Sequence, residues 1–459
     1  MNSINDINTL VKNQKDFFNS GVTKDLEFRK QSLLKLKNAI NEHENEIFLA
    51  LKEDLSKSEF ETYISEIGMV LEEINFMLKN MKKSFRKKRV KTPIAQFLAK
   101  STIYREPYGN VLIISPWNYP FQLALAPLVG AIACGNCAVI KPSEYSPKTS
   151  AIISKIISKT FDKNYIAVVE GDKNASQTLL DNKFDLIFFT GSSKVGKIVM
   201  EKAASHLTPV VLELGGKSPC IIDKTADIKL AGKRITWGKC LNSGQTCVAP
   251  DYLLVHKSIK KQLIDEIIKN NELFYGKSPE KNDSFPKIIT TKHFDRLKNL
   301  IKSGNVIYGG NTDESTNKIS LTLIDNVKWS DPVMQEELFG PIFPIIEYES
   351  LDEFIPIINS RPKPLALYLF TTSKEIENKI INSISYGGGC INDTIVHLAT
   401  SNMGFGGVGE SGMGSYHGLA SIETFSHSKS VLKKSNLIDI PLRYPPYLNH
   451  LKLAKKFMK

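Results

Sequence analysis

Cys247 sits in Asn242-Ser243-Gly244-Gln245-Thr246-Cys247-Val248-Ala249-Pro250, among small and polar residues. A thiol in such surroundings is a nucleophile when substrate reaches it and a neighbour helps it ionise; a structural thiol fits the same letters. Glu213 is a carboxylate inside an apolar run, Val210-Val211-Leu212-Glu213-Leu214, followed by Gly215-Gly216. Burying a carboxyl is costly unless it is paired or protonated. Desolvation would also raise its pKa toward the useful range of a general base. The competing reading is a core salt bridge, with Lys217 as the partner. Asn118, in Ser-Pro-Trp-Asn-Tyr-Pro, follows directly after an apolar run. Its amide can donate to a developing oxyanion or simply hold a Pro-rich turn. In Phe188-Phe189-Thr190-Gly191-Ser192-Ser193-Lys194-Val195-Gly196 a strand ends in a turn and a helix begins. The free N–H groups there suit a phosphate, although many such turns carry no ligand.

Two other motifs lead elsewhere. Gly407, Gly409 and Gly412 match G-x-G-x-x-G, but no apolar strand precedes them, so this is a Gly-rich loop near a site and not a phosphate loop. Cys134-Gly-Asn-Cys137 has no second C-x-x-C and no nearby His to complete a metal site. It reads as two buried thiols, and no metal is expected.

The elements that must hold these residues follow from periodicity. The first ninety residues read as helix: Ile64, Ile67, Val70, Leu71, Ile74, Met77 and Leu78 recur at spacings of three and four. Short apolar runs then alternate with helical stretches at 111–115, 137–141, 165–170, 185–190 and 210–214. Strands separated by helices pair in parallel through crossovers, which predicts an α/β fold with an open twisted sheet and ligands beyond the carboxyl ends of its strands. A second α/β region runs from about 215 to 420, with the boundary near Gly215-Gly216. Val111–Ile140 has no charged residue and is long enough to span a membrane. Pro116, Pro120 and Pro127 interrupt it, so a buried strand and a buried helix are predicted instead.

The chain has 459 residues and a net charge of +12. The excess is local: residues 82–91 carry seven bases and no acid, and residues 433–459 carry seven bases and one acid. A nucleic-acid-binding protein would more often spread its charge along one face, so no nucleic-acid partner is expected. Six cysteines are too few for a disulfide framework, and the N-terminus lacks a signal peptide's apolar core. A cytoplasmic location with reduced thiols is predicted.

Taken together, the motifs resemble the aldehyde dehydrogenase superfamily. The resemblance rests on Pro116-Trp117-Asn118, Lys141-Pro142-Ser143-Glu144, Phe189-Thr190-Gly191-Ser192 with Gly196, Leu212-Glu213-Leu214-Gly215-Gly216-Lys217-Ser218-Pro219, Gly244-Gln245-Thr246-Cys247, Glu336-Glu337-Leu338-Phe339-Gly340-Pro341 and Phe405-Gly406-Gly407-Val408-Gly409, in family order. Arg361-Pro362-Lys363-Pro364-Leu365, Ser411–Gly418 and Leu442–Tyr447 are similar to the short branch that holds the class 3 and fatty aldehyde enzymes.

The resemblance implies NAD(P)-dependent oxidation of medium- or long-chain aliphatic, aromatic or terpenoid aldehydes to carboxylic acids. It assigns Cys247 as nucleophile through a thiohemiacetal and a thioester, Asn118 as oxyanion donor and Glu213 as the base for hydrolysis. Trp117, Lys141, Glu144, Gly191, Ser192, Gly196, Leu214, Glu337 and Phe339 become cofactor contacts, with NAD first and NADP open. It divides the chain into a Rossmann-type cofactor domain (1–91 and 107–213), a catalytic domain (214–421), a β-ribbon (92–106 and 422–440) serving a homodimer, and a basic tail (441–459). The tail would touch an anionic membrane weakly, cap the substrate funnel, or dock as a surface helix. Met403-Gly404 precede Phe405 where the family commonly has Pro, which loosens inference about substrate. The alternative function is a catalytically silent binding or structural member of the same fold.

Overall fold

The apolar runs become parallel strands. In the computed structural model, which describes residues 4–439, 441–447 and 450–457, one six-stranded sheet runs in the order Gly412–Met413, Val210–Glu213, Leu186–Thr190, Asn110–Ile114, Cys137–Lys141 and Ile166–Val168. Every residue of the three strands Leu186–Thr190, Asn110–Ile114 and Cys137–Lys141 is buried. Helices cover both faces, which is why these strands read as unbroken apolar runs. The chain passes from Asn110–Ile114 outward to Ile166–Val168, then returns to Leu186–Thr190 on the other side. The crevice between Asn110–Ile114 and Leu186–Thr190 is therefore the topological switch point where such sheets bind ligands. The sixth strand comes from the Gly-rich loop: Gly412 pairs antiparallel with Glu213, which sets that loop beside Glu213 and closes the sheet edge.

The second region holds a seven-stranded sheet in the order Asn305–Tyr308, Thr322–Asp325, Ile342–Tyr348, Tyr252–His256, Pro219–Ile222, Ala366–Phe370 and Gly388–Ile391. Only the first pair is antiparallel. Residues 214–218 connect the two sheets.

A third sheet joins Lys88–Val90, Ala99–Pro107 and Ser426–Lys434, the last two across nine registered pairs. The ribbon thus takes its first strand, three residues long, from the basic run, which gave no strand signal. All three residues of Lys88–Val90 are exposed, so their charges oppose nothing in the pairing.

The N-terminal region resolves into helices Ile4–Asn19, Leu26–Glu42, Glu44–Leu55, Glu59–Thr62 and Gly68–Ser84, with a π-helical turn at Tyr63–Ile67. Asp25 caps the second by accepting from Phe28 N–H, and Ser58 caps the fourth by accepting from Glu61 N–H. The charge-free stretch is a strand followed by helix Gln122–Cys134, buried at every position. Among the described residues no helix is long and apolar enough to cross a membrane. One apolar cluster runs from Leu33 and Ile74 through Val111 and Phe188 to Cys220, Leu253 and Tyr368, so both large sheets share a core. The tail contributes a short helix, His450–Phe457; Leu448, Asn449, Met458 and Lys459 lie outside the described residues.

Candidate active site

Beyond the carboxyl ends of the first sheet lies a cleft of about 700 Å³. Of the site residues expected from the sequence, only Gly196 does not line it. Gly196 sits one turn into helix Ser193–Ala204, where an added Cβ would come within 2.8 Å of Leu214 Cδ2. Its role is to let that helix approach Leu214, which does face the cleft.

The thiol end is built by a strained loop. Helix Ile228–Cys240 gives way to Asn242, Ser243 and Gly244, with φ of 51°, 54° and 72°. Non-glycine residues in this conformation cost about 1–3 kcal/mol each and persist only where the surroundings fix them. Here Asn242 Nδ2 donates to the Asn118 carbonyl (2.7 Å) and the Gln245 carbonyl (3.1 Å). Asn118 Nδ2 donates to the Gln245 carbonyl at 3.0 Å. That uses one of the two amide hydrogens and leaves one for a ligand. Gln245 Nε2 reaches the Asn242 carbonyl at 3.1 Å and the Lys287 carbonyl at 2.9 Å. Tyr368 Oη donates to the Val248 carbonyl at 2.6 Å. Cys247 is half-buried. Burial pushes its thiol well up, the Glu337 and Glu213 carboxyls add to this, and the backbone N–H groups of Cys247 and Val248 oppose it. Burial thus favours the neutral thiol, while the two backbone N–H groups favour the thiolate.

Glu213 is 2% exposed, and neither carboxyl oxygen has a hydrogen-bond partner. The salt bridge to Lys217 does not form: Lys217 Nζ pairs with Asp251 Oδ2 at 2.6 Å and donates to the Glu336 carbonyl at 3.0 Å. Burial alone raises the Glu213 carboxyl well above its ordinary range. Glu337 is lifted to about 8, first by burial and then by Asp251, against a hydrogen bond from Gly216 N–H. A Cβ at Gly215 would fall 2.2 Å from Glu337 Oε2, so this carboxyl lies directly over the strand end.

The other end of the cleft suits a dinucleotide. Lys141, 2% exposed, ends its strand and bonds Glu144 Oε2 at 3.0 Å and the Pro142 carbonyl at 2.9 Å. Ser192 caps helix Ser193–Ala204, its Oγ accepting from Val195 N–H at 3.4 Å. The backbone N–H groups of the first turn remain available to an anion. Trp117 meets Phe339 edge to face at 5.4 Å. Sequence reasoning missed His293 and Arg296, which also line the cleft. Arg296 holds Glu336 at 2.9 Å, and His293 stands 5.5 Å from Trp117. Their spacing of three on one helix was the available signal.

Comparison with known proteins agrees with this geometry. Residues 3–431 match the aldehyde dehydrogenase family. The chain belongs to that family. It is 49% identical to 4,4'-diaponeurosporen-aldehyde dehydrogenase of Staphylococcus aureus, over 97% of each chain. It is 45% identical to the dimeric NADP-preferring aldehyde dehydrogenase of Canis lupus familiaris, over 96% of this chain and 98% of that one. The solved substrate-bound structure of Staphylococcus aureus AldH is 48% identical, covers 100% of both chains and superposes with a TM-score of 0.97. As an aldehyde dehydrogenase the chain is an oxidoreductase acting on aldehydes with NAD(P), and no observation favours the silent alternative.

Proposed function

We propose that this aldehyde dehydrogenase converts apolar aldehydes to free carboxylic acids, with Cys247 as nucleophile, Asn118 as oxyanion donor and Glu213 as general base. The observation that carries the reading is that one cleft is lined by all three side chains and by the Lys141–Ser192 end suited to a dinucleotide. Once the Cys247 thiol has lost its proton to solvent, the thiolate adds to the aldehyde carbon, and the alkoxide that forms accepts from the free Asn118 amide hydrogen and the Cys247 N–H. Bound NAD(P) supplies the acceptor for the hydride that leaves this carbon. Glu213 then takes a proton from water as that water attacks the thioester carbon. The acid departs and the thiolate returns. A free, unpartnered carboxyl at this position supports hydrolysis over transfer to another thiol.

Lys141 and Glu144 would hold the adenosine ribose, and Gly191 and Ser192 the pyrophosphate. Trp117, Leu214, Glu337 and Phe339 would hold the nicotinamide ribose. Buried Tyr119 and Tyr368 flank the catalytic loop, bonding Thr246 Oγ1 at 2.7 Å and the Val248 carbonyl at 2.6 Å, which supports apolar substrates. The relative named for 4,4'-diaponeurosporen-aldehyde makes that compound the first substrate to test, beside medium- and long-chain aliphatic and aromatic aldehydes. The six free thiols suit the cytoplasm, and the ribbon's open edge suits a homodimer. Incubation with NAD or NADP should yield acid and reduced cofactor one for one. Cys247→Ala should lower turnover at least about a thousandfold; wild-type turnover in that variant would overturn the mechanism.

A further inference from the structure

A buried ionic cluster outside the cleft grips the catalytic loop from behind. Lys57 and Glu66 form an ion pair at 2.6 Å with both side chains 0% exposed. Lys57 Nζ also donates to the Asn118 backbone carbonyl at 3.1 Å and stands 4.0 Å from the Tyr119 ring centre. The other oxygen of Glu66 accepts from the N–H groups of Phe121 (2.9 Å) and Gln122 (3.1 Å). The turn carrying Asn118 is thus held at two points. Glu61, 7% exposed, accepts from Asn242 N–H at 2.7 Å. Asn242 is the first left-handed residue of the loop that ends at Cys247.

The backbone explains how Glu61 and Glu66 both face inward. In an α-helix, residues five apart point about 140° away from each other. Tyr63–Ile67 is a π-helical turn, whose i→i+5 bonding brings such residues onto one side. Gly68 follows, where a Cβ would fall 2.9 Å from the Tyr63 carbonyl. A buried ion pair is poor value as a stabiliser, since apolar residues of similar volume hold a core as well. Its contacts instead all end on the segment from Asn118 to Gln122, while Glu61 reaches the loop that carries Cys247.

We propose that Glu61 is a positioning residue of the reaction. It anchors Asn242, and through Asn242 the loop ending at Cys247, while Lys57–Glu66 anchors Asn118 from the same helical segment. The inference rests on the roles given above to Cys247 and Asn118.

An amide oxygen accepts a hydrogen bond as a carboxylate does, so Glu61→Gln keeps the bond to Asn242 and Glu61→Ala removes it. In the full-length protein, Glu61→Ala should lower kcat about 10- to 100-fold through misplacement of the nucleophile. KM for NAD should stay within about threefold, because the cofactor end of the cleft is untouched. Iodoacetamide alkylation of Cys247, followed by peptide mass spectrometry, should change its rate severalfold while alkylation of half-buried Cys390 does not. Glu61→Gln should return both kcat and the alkylation rate to within about threefold of wild type. Asp223→Ala removes a carboxylate of similar burial remote from the loop. It should lower Tm yet leave kcat and Cys247 alkylation unchanged. If Glu61→Ala does not fold, Glu61→Met, which keeps volume without the acceptor, replaces it against Glu61→Gln. Wild-type kcat and alkylation in the Ala or Met variant would overturn the proposal, as would a Gln variant as impaired as either. A wild-type protein that oxidises no aldehyde sinks the parent reading instead, and the alkylation rate, which needs no turnover, still tests the anchor.

Discussion

Glu213 keeps two carboxyl oxygens inside the protein with nothing bonded to either. The residue scale is therefore where proton chemistry is most exposed to test. Glu213→Gln should still release a burst of reduced cofactor, because thioester formation does not use this base. Steady-state turnover should then fall about a hundredfold or more; rapid-mixing absorbance separates the phases. In the wild type, turnover should rise with pH as the up-shifted carboxyl ionises. Stability should move the other way. Glu337 has an ordinary value of 4.5 and is lifted to about 8 in the fold. Between these values the folded chain holds a proton that the unfolded chain has lost, so stability falls as pH rises through that window. Melting at pH 5 and pH 8 should show a lower Tm at pH 8, and Glu337→Gln should shrink the difference. Cys247, Glu213 and Asn118 were singled out in the sequence by the combination of motifs that resembles the family, and one cleft is lined by all three. Glu61 and Lys57 were not, because charged residues flanking a helix start read as a solvated face. The π-turn brings Glu61 and Glu66 to one side, where Lys57 pairs with Glu66, and no residue type announces it.

At the scale of elements, the parallel strands of the first sheet were legible to within one or two residues. Their central members are buried on both faces and so carry unbroken apolar letters. The second sheet was read only as an α/β region, since strands such as Thr322–Asp325 and Gly388–Ile391 are too short and mixed to stand out. Lys88–Val90 was invisible because its exposed side chains give no alternation. One packing contact, Gly196 against Leu214, ties an element to the cleft. Gly196→Ala improves helix propensity by about 1 kcal/mol, while the methyl pushes on Leu214 at a cost of about 1–3 kcal/mol. Tm should therefore move by only a few degrees. The displaced Leu214 intrudes on the cleft, so the dissociation constant for NAD, read by fluorescence titration, should rise about fivefold or more for roughly 1 kcal/mol lost.

At the scale of the whole molecule, the three-stranded ribbon leaves Ser426–Lys434 as an open edge among the described residues, with Val431 40% and Leu432 48% exposed. An uncovered edge of this length invites pairing. If the ribbon makes the dimer, Val431→Lys with Leu432→Lys should convert it to monomer by light scattering while the fold persists. The core has a different consequence. Because a single apolar cluster threads both large sheets, and the Glu61–Asn242 bond spans 181 residues, severing the chain at 214–218 would leave each piece with half a greasy wall facing water. Neither fragment is a portable module. Calorimetry should accordingly record one cooperative peak, and nicotinamide specificity would have to be redesigned in place, since neither half can be grafted onto another enzyme as a ready-made part.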